Sequence, residues 1–250
     1  MDAPVNSSVV PLPSSDVPRV LVVAAHPDDI EFGACGTVAG WTDAGVAVTY
    51  LLCTHGDQGG FDDTPRHQMP RIREAEQRDA AAVAGVTDVR FLEGYRDGYL
   101  EPTHELVRDI TRVIRQVRPV RVLAPSPERW WGRLAASHPD HLATGEASVR
   151  AVYPAARNAF AYPELAGDEG LEPWTVAELW LMAHPTPDHR VDVGDTLDRK
   201  FKALRCHVSQ TSHTGPELEE MVQGGLAAAA REAGWGEGRY AESFKVVHTA

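Results

Sequence analysis

Cysteine is scarce in this 250-residue chain: Cys35, Cys53 and Cys206 are an odd number with no paired spacing. That argues against a disulfide framework and fits a reducing compartment. No apolar run approaches the roughly 20 residues a membrane span needs. The first residues, MDAPVNSSVVPLPSSDVP, lack the basic start and apolar centre of a signal peptide. Positive charge is also short. Lys and Arg number 24 against 36 Asp and Glu, a formal net charge of −12. Nucleic acid and anionic membrane both reward clustered Lys and Arg, so neither is an expected partner. A cytoplasmic, soluble protein is the expectation, and no oligomeric state can be read from the residues.

Hydrophobic content of 43% and charged content of 24% are those of an ordinary globular domain. Short β-branched runs alternate with helical patterns. The runs are RVLVVAA (19–25), VAVTYLLCT (46–54), DVRFLEG (88–94) and VRVLAPS (120–126). Between them, Leu106, Ile110, Val113, Ile114 and Val117 recur at helical spacing, and Pro119 ends that pattern. Strands apolar on both faces, each followed by a helix, predict a parallel sheet covered on both sides. The fold class is therefore α/β, a doubly wound, Rossmann-like, mostly parallel sheet with a less regular C-terminal part. Residues 1–17 read as a flexible tail and 18–250 as one domain. Further expectations are a strand over 175–183 and helices over 195–207 and 221–235.

The first apolar run ends on His26, Pro27, Asp28 and Asp29. Ligands of open parallel sheets bind at the carboxyl ends of the strands, where this tetrapeptide falls. His and Asp three residues apart in a tight loop can both turn toward one zinc ion, which leaves Asp28 between them free as a base. A catalytic zinc takes three protein ligands, so one more is expected from another strand end. After VRVLAPS the chain supplies it in SHPDH (137–141). His138 suits an N-cap, Pro139 the first helical position, and His141 lies one turn in.

These residues bring a family resemblance into view. AAHPDDIEFGACGT and SHPDH resemble the two signatures of the LmbE-like, PIG-L-type zinc-dependent deacetylases, over roughly residues 18–210. THGDQGG, RIREAEQ, GYRDGYL, VDV and KALRCHVSQ are weaker matches in the same order. The resemblance implies that His26, Asp29 and His141 hold Zn2+, with another divalent ion such as Fe2+ as the alternative. It implies Asp28 as general base, His138 as oxyanion stabiliser or proton donor to the leaving amine, and Asp140 as the group that orients a neighbouring histidine. It puts Arg73 and Asp97 on sugar hydroxyls, and a small amino-sugar compound as the substrate. Two departures stand out: Ile30 is inserted where many relatives run straight to Glu, and Ala136 replaces a gating tyrosine.

The implied reaction is removal of an N-acetyl group from an N-acetylglucosaminyl-type small molecule. The alternatives are hydrolysis of a larger amide, such as a thiol conjugate, at the same site, and a nucleotide-binding module. The last is disfavoured because GACG (33–36) lacks the GxGxxG spacing. Read without the resemblance, Arg73 would be half of a surface pair with Glu74 or Glu76, and Asp97-Gly98 a turn. His207, Ser209, Gln210 and His213 read as a hydrogen-bonded cap after a helix, His184 and His189 as loop residues, and Cys35 as small and buried. Trp130 and Trp131 would stand at a rim.

Overall fold

The computed structural model describes residues 10–250. Seven strands form one sheet: β1 (Arg19–Ala24), β2 (Ala47–Leu52), β3 (Asp88–Phe91), β4 (Arg121–Pro125), β5 (Glu178–Met182), β6 (His189–Asp192) and β7 (Ala241–His248). Their order is β3-β2-β1-β4-β5-β7-β6. The first five are parallel, and β7 runs antiparallel between β5 and β6. The doubly wound, mostly parallel expectation holds.

β1 shows why both faces must be covered. Val20, Val22 and Ala24 join one buried cluster, and Leu21, Val23 and Ala25 join the other. Burying a Val or Leu side chain contributes roughly 1.5–3 kcal/mol, so a run apolar on both faces favours the middle of a sheet. Helices α1 (Asp29–Gly33), α2 (Cys35–Asp43), α3 (Met69–Val83) and α7 (Leu197–Cys206) lie on the first cluster's side. Helices α4 (His104–Val117) and α5 (Pro139–Arg150) cover the second. Short helices α6 (Pro163–Gly167) and α8 (Val208–Thr211), and the longer α9 (Glu217–Glu232), complete the chain.

The expected stripe of α4 is its buried face, with Leu106, Ile110, Val113 and Ile114 inside. The Thr103 hydroxyl accepts the Leu106 N–H at 3.2 Å as an N-cap. Arg118, in the left-handed region at φ 53°, closes the helix before Pro119. Two strands went unread in the sequence. β6 lies partly in the span taken for a loop around His189, and β7 holds Glu242 and Lys245 among its apolar residues.

The tail expectation needs correction over 10–17, while 1–9 lie outside the described residues. Val17 is buried, and Leu12 is pinned by its backbone. Its N–H donates to Glu178 Oε1 at 2.5 Å, and its carbonyl accepts from Arg121 Nη2 at 2.8 Å. Arg121 and Glu178 are themselves a buried pair, with Nη2 2.7 Å from Oε2. The guanidinium also lies 4.1 Å from the Trp180 ring centre and 5.1 Å from that of Trp41. Removing one partner of such a pair leaves an uncompensated buried charge. Arg121→Leu is expected to cost about 3–5 kcal/mol in a denaturant titration, and Arg121→Leu with Glu178→Leu less than that. A double variant as unstable as the single one would contradict this reading of the pair.

Candidate active site

β1 pairs with β2 on one side and β4 on the other, so the chain winds outward in opposite directions from the β1/β4 seam. A crevice forms at such a switch point, outside the carboxyl ends of the strands. His26 leaves β1 at that edge, and α5 begins beyond β4 with His138 as its N-cap. The His138 Nδ1 accepts the Asp140 N–H at 3.2 Å, and Pro139 takes the first helical position, as the sequence predicts. The two His-Pro-Asp motifs meet here. Ring centres of His26, His138 and His141 lie 5.2–5.4 Å from one another.

Close approach of α5 to β4 sets this meeting. A Cβ on Gly145 would stand 2.5 Å from the Pro125 carbonyl oxygen and 2.8 Å from the Pro127 nitrogen. These are backbone atoms and cannot step aside.

His26 is held from both sides. Its Nε2 lies 3.1 Å from Asp140 Oδ2 and 3.1 Å from Asp97 Oδ1, so this nitrogen carries the proton. Nδ1 then faces Asp29 Oδ2 at 3.6 Å. Asp29 Oδ2 accepts the N–H groups of Ala25 and His26, while Oδ1 meets His141 Nε2 at 2.9 Å. Burial opposes a charge on His26, yet the Asp140, Asp29 and Asp97 carboxylates prevail and lift its pKa to about 12. Burial would raise Asp29, but His141 and His26 outweigh it and hold the carboxyl well below its ordinary value. The histidine that Asp140 contacts is His26, through Oδ2. The Asp140 oxygens also accept the N–H groups of Gly98 at 2.7 Å and Leu100 at 3.3 Å.

Asp28 stands apart from this set, in the left-handed region at φ 96°. Burial raises its carboxyl to about 6, with the Arg73 guanidinium pulling the other way. His138 is shifted downward, by burial and by the charges of His26 and His141. It is therefore neutral at neutral pH. With Nδ1 accepting from Asp140, its proton sits on Nε2.

Arg73 and Asp97, expected at sugar hydroxyls, lie with their charged ends against Asp28 and His26. Arg73 is 4% exposed, not a surface residue. Its Nη2 donates to the Pro27 carbonyl at 2.5 Å and to Asp28 Oδ2 at 3.2 Å, and Nη1 donates to the Gly56 carbonyl at 3.1 Å. Gly56, at φ 67°, makes room for it, since a Cβ there would overlap the guanidinium. Asp97 Oδ2 accepts the Gln58 N–H at 3.0 Å, and the Asp97 N–H donates to Asp57 Oδ1 at 3.0 Å. The THGDQGG and RDGY loops are thus stitched together beneath the site.

His207 is the C-cap of α7, as the sequence predicts, its N–H donating to the Leu204 carbonyl at 3.1 Å, but its side chain does more. It is fully buried with Nε2 3.1 Å from Glu31 Oε2. Glu31 and Gln77 also belong to the site's surroundings and went unread. Gln77 had a legible signal, lying four residues after Arg73 on the same face of α3. Cys35 is small and buried, as expected. Trp131 is exposed and His184 is buried.

Fold and site together define an α/β protein with a centre of histidines and carboxylates at a sheet switch point. Comparison with known proteins places it more closely. The family described as PIG-L: GlcNAc-PI de-N-acetylase matches residues 21–152, and the chain belongs to this family. It is 34% identical over 237 residues to the diacetylchitobiose deacetylase of Thermococcus kodakarensis, covering 94% of this chain and 85% of that protein. It is 29% identical over 244 residues to the 1D-myo-inositol 2-acetamido-2-deoxy-alpha-D-glucopyranoside deacetylase of Rhodococcus erythropolis, covering 78% and 81%. Among solved structures it resembles the N,N'-diacetylchitobiose deacetylase of Pyrococcus horikoshii, in complex with its inhibitor MPG. The TM-score is 0.86 at 30% identity, over 95% of this chain and 86% of that one. The chain is an enzyme of the deacetylase class, a hydrolase of amide bonds. No described helix is long and apolar enough to cross a membrane.

The Gly145 contact is directly testable. Gly145→Ala is expected to destabilise the protein by about 1–3 kcal/mol in denaturant unfolding, as overpacked sites do. It should also weaken divalent-metal retention on dialysis by moving His141 away from Asp29. Unchanged stability would show that α5 does not need this approach.

Proposed function

We propose that the protein removes the N-acetyl group from an N-acetylglucosaminyl small molecule, with Zn2+ held by His26, Asp29 and His141 and with Asp28 as general base. The observation that supports this most is the convergence of two His-Pro-Asp motifs from separate strand ends. Asp29 bridges them there, with Oδ2 3.6 Å from His26 Nδ1 and Oδ1 2.9 Å from His141 Nε2, and His26, His138 and His141 come close enough together to share an ion.

The donor set fits a divalent cation. Asp28, Asp29, Asp97 and Asp140 bring four carboxylates to His26 and Arg73, with the Arg73 guanidinium the one permanent positive charge among these residues. Buried carboxylates need compensation, and a cation between two imidazoles and Asp29 provides it. The His26 contact to Asp140 has the form seen around metal-bound histidines, where a carboxylate fixes the ring through one nitrogen; a bound cation would take the place of the proton that the carboxylates otherwise favour on Nδ1. When bound, zinc polarises an amide carbonyl and lowers the pKa of its water to about 7.

The chain's own groups do the rest. Asp28, raised toward neutrality and steadied by Arg73, accepts the proton of the attacking water and returns it to the amide nitrogen as the C–N bond breaks, so that acetate and the free amine leave. His138, with its proton on Nε2, donates a hydrogen bond to the oxyanion that develops on the former carbonyl oxygen. Arg73 and Asp97 keep the base and the first ligand aimed. The relatives' names, which concern acetylated glucosamine compounds, support the amino-sugar substrate class.

Acetate release and metal content together test these roles. Asp28→Asn is expected to keep its zinc while kcat falls about 10²–10⁴-fold, and His141→Ala to lose the metal as well. An Asp28→Asn enzyme of wild-type rate would remove the base from this scheme. For Arg73, substitution by Met is expected to lower kcat with little change in KM. A rise in KM alone would return it to the sugar.

A further inference from the structure

Asp28 occupies a backbone conformation that a non-glycine residue adopts at a cost of roughly 1–2 kcal/mol. Such a conformation persists only where the surroundings over-determine it. Arg73 fixes the side chain of Asp28 and the carbonyl of Pro27. A second set of groups holds the main chain.

The Asp28 N–H donates to Gln77 Oε1 at 3.0 Å. The Gln77 Nε2 donates to both oxygens of Glu31, at 3.0 and 3.2 Å. Glu31 in turn meets His207 Nε2 at 3.1 Å, and Gln77, Glu31 and His207 are all fully buried. An amide has one accepting and one donating end. With Glu31 taking the donating end, the oxygen is forced toward Asp28. Turned over, the amide would set its oxygen against a carboxylate and its NH2 against an N–H. The backbone of the Glu31 segment is anchored too. Lys200 Nζ donates to the carbonyls of Glu31 and Phe32 at 2.8 and 2.9 Å and to Glu242 Oε1 at 2.7 Å. Glu242 accepts the N–H groups of Gly36 and Thr37.

We propose that Glu31 and His207 act through the Gln77 amide as positioning residues for the Asp28 base. This rests on the reading of Asp28 given above. It gives the C-terminal part of the chain a task in the reaction, since Lys200, His207 and Glu242 all lie beyond residues 21–152, the stretch matched by the family model.

The test is a swap. Gln77→Glu alone sets two carboxylates face to face, and Glu31→Gln alone removes the carboxylate that orients the amide. Either is expected to lower kcat about 10²-fold, the scale of a small misplacement of a reacting group. KM and bound zinc should stay near wild type. The double variant Gln77→Glu, Glu31→Gln restores an acceptor for the Asp28 N–H and a donor between the two positions, and is expected to recover most of the rate. Single variants of wild-type kcat, or a swap no better than the singles, would overturn the proposal. A crystal structure of Gln77→Met gives a readout independent of turnover. The Asp28 carboxylate is expected to move by more than about 0.5 Å, beyond the tolerance of a productive geometry. An unmoved Asp28 would overturn the inference even if the wild-type enzyme released no acetate, an outcome that would defeat only the deacetylation reading.

Discussion

The bond between His26 Nε2 and the Asp140 carboxylate joins the two halves of the site. His26 belongs to the end of β1 and Asp140 to the first turn of α5, so the contact spans the switch point. The same carboxylate collects the Gly98 and Leu100 N–H groups and fixes the loop that delivers Asp97. A buried carboxylate is costly unless its oxygens are occupied, and here they are. Once Nε2 is committed, Nδ1 must face Asp29, and the roles of the remaining groups follow.

Much of this was legible in the sequence, for definite reasons. The parallel strands were readable because a run such as Val20 to Ala25 is apolar on both faces, and α4 because its stripe is regular. His26, Asp29, His138 and His141 stood out because polar groups closing an apolar strand need explanation. What escaped notice depended on contacts between distant segments. Glu31 and His207 lie 176 positions apart, and no local pattern reveals that each is the other's buried partner. Arg73 looked like a surface residue because it sits among Glu74 and Glu76 on a charged helix, yet it points inward. β7 was hidden by Glu242 and Lys245, whose charges make a partly buried strand resemble a loop.

The fold alone would not settle the chemistry. Function resides in the site grafted onto it. A neutral donor at His138, a carboxyl raised to about 6 at Asp28 and a cation-seeking cluster at His26 suit an attack by water on an amide. Each group's state follows from its neighbours: burial at Asp28, burial and adjacent imidazoles at His138, surrounding carboxylates at His26.

The most direct test of the account is acetate release from a panel of N-acetylglucosaminyl compounds, measured side by side on zinc-loaded and chelator-stripped protein. The account predicts release from at least one compound by the loaded protein, loss of that activity on stripping, and its return when zinc is added back. Release that is indifferent to the metal, or bound metal with no acetate from any compound, would contradict it.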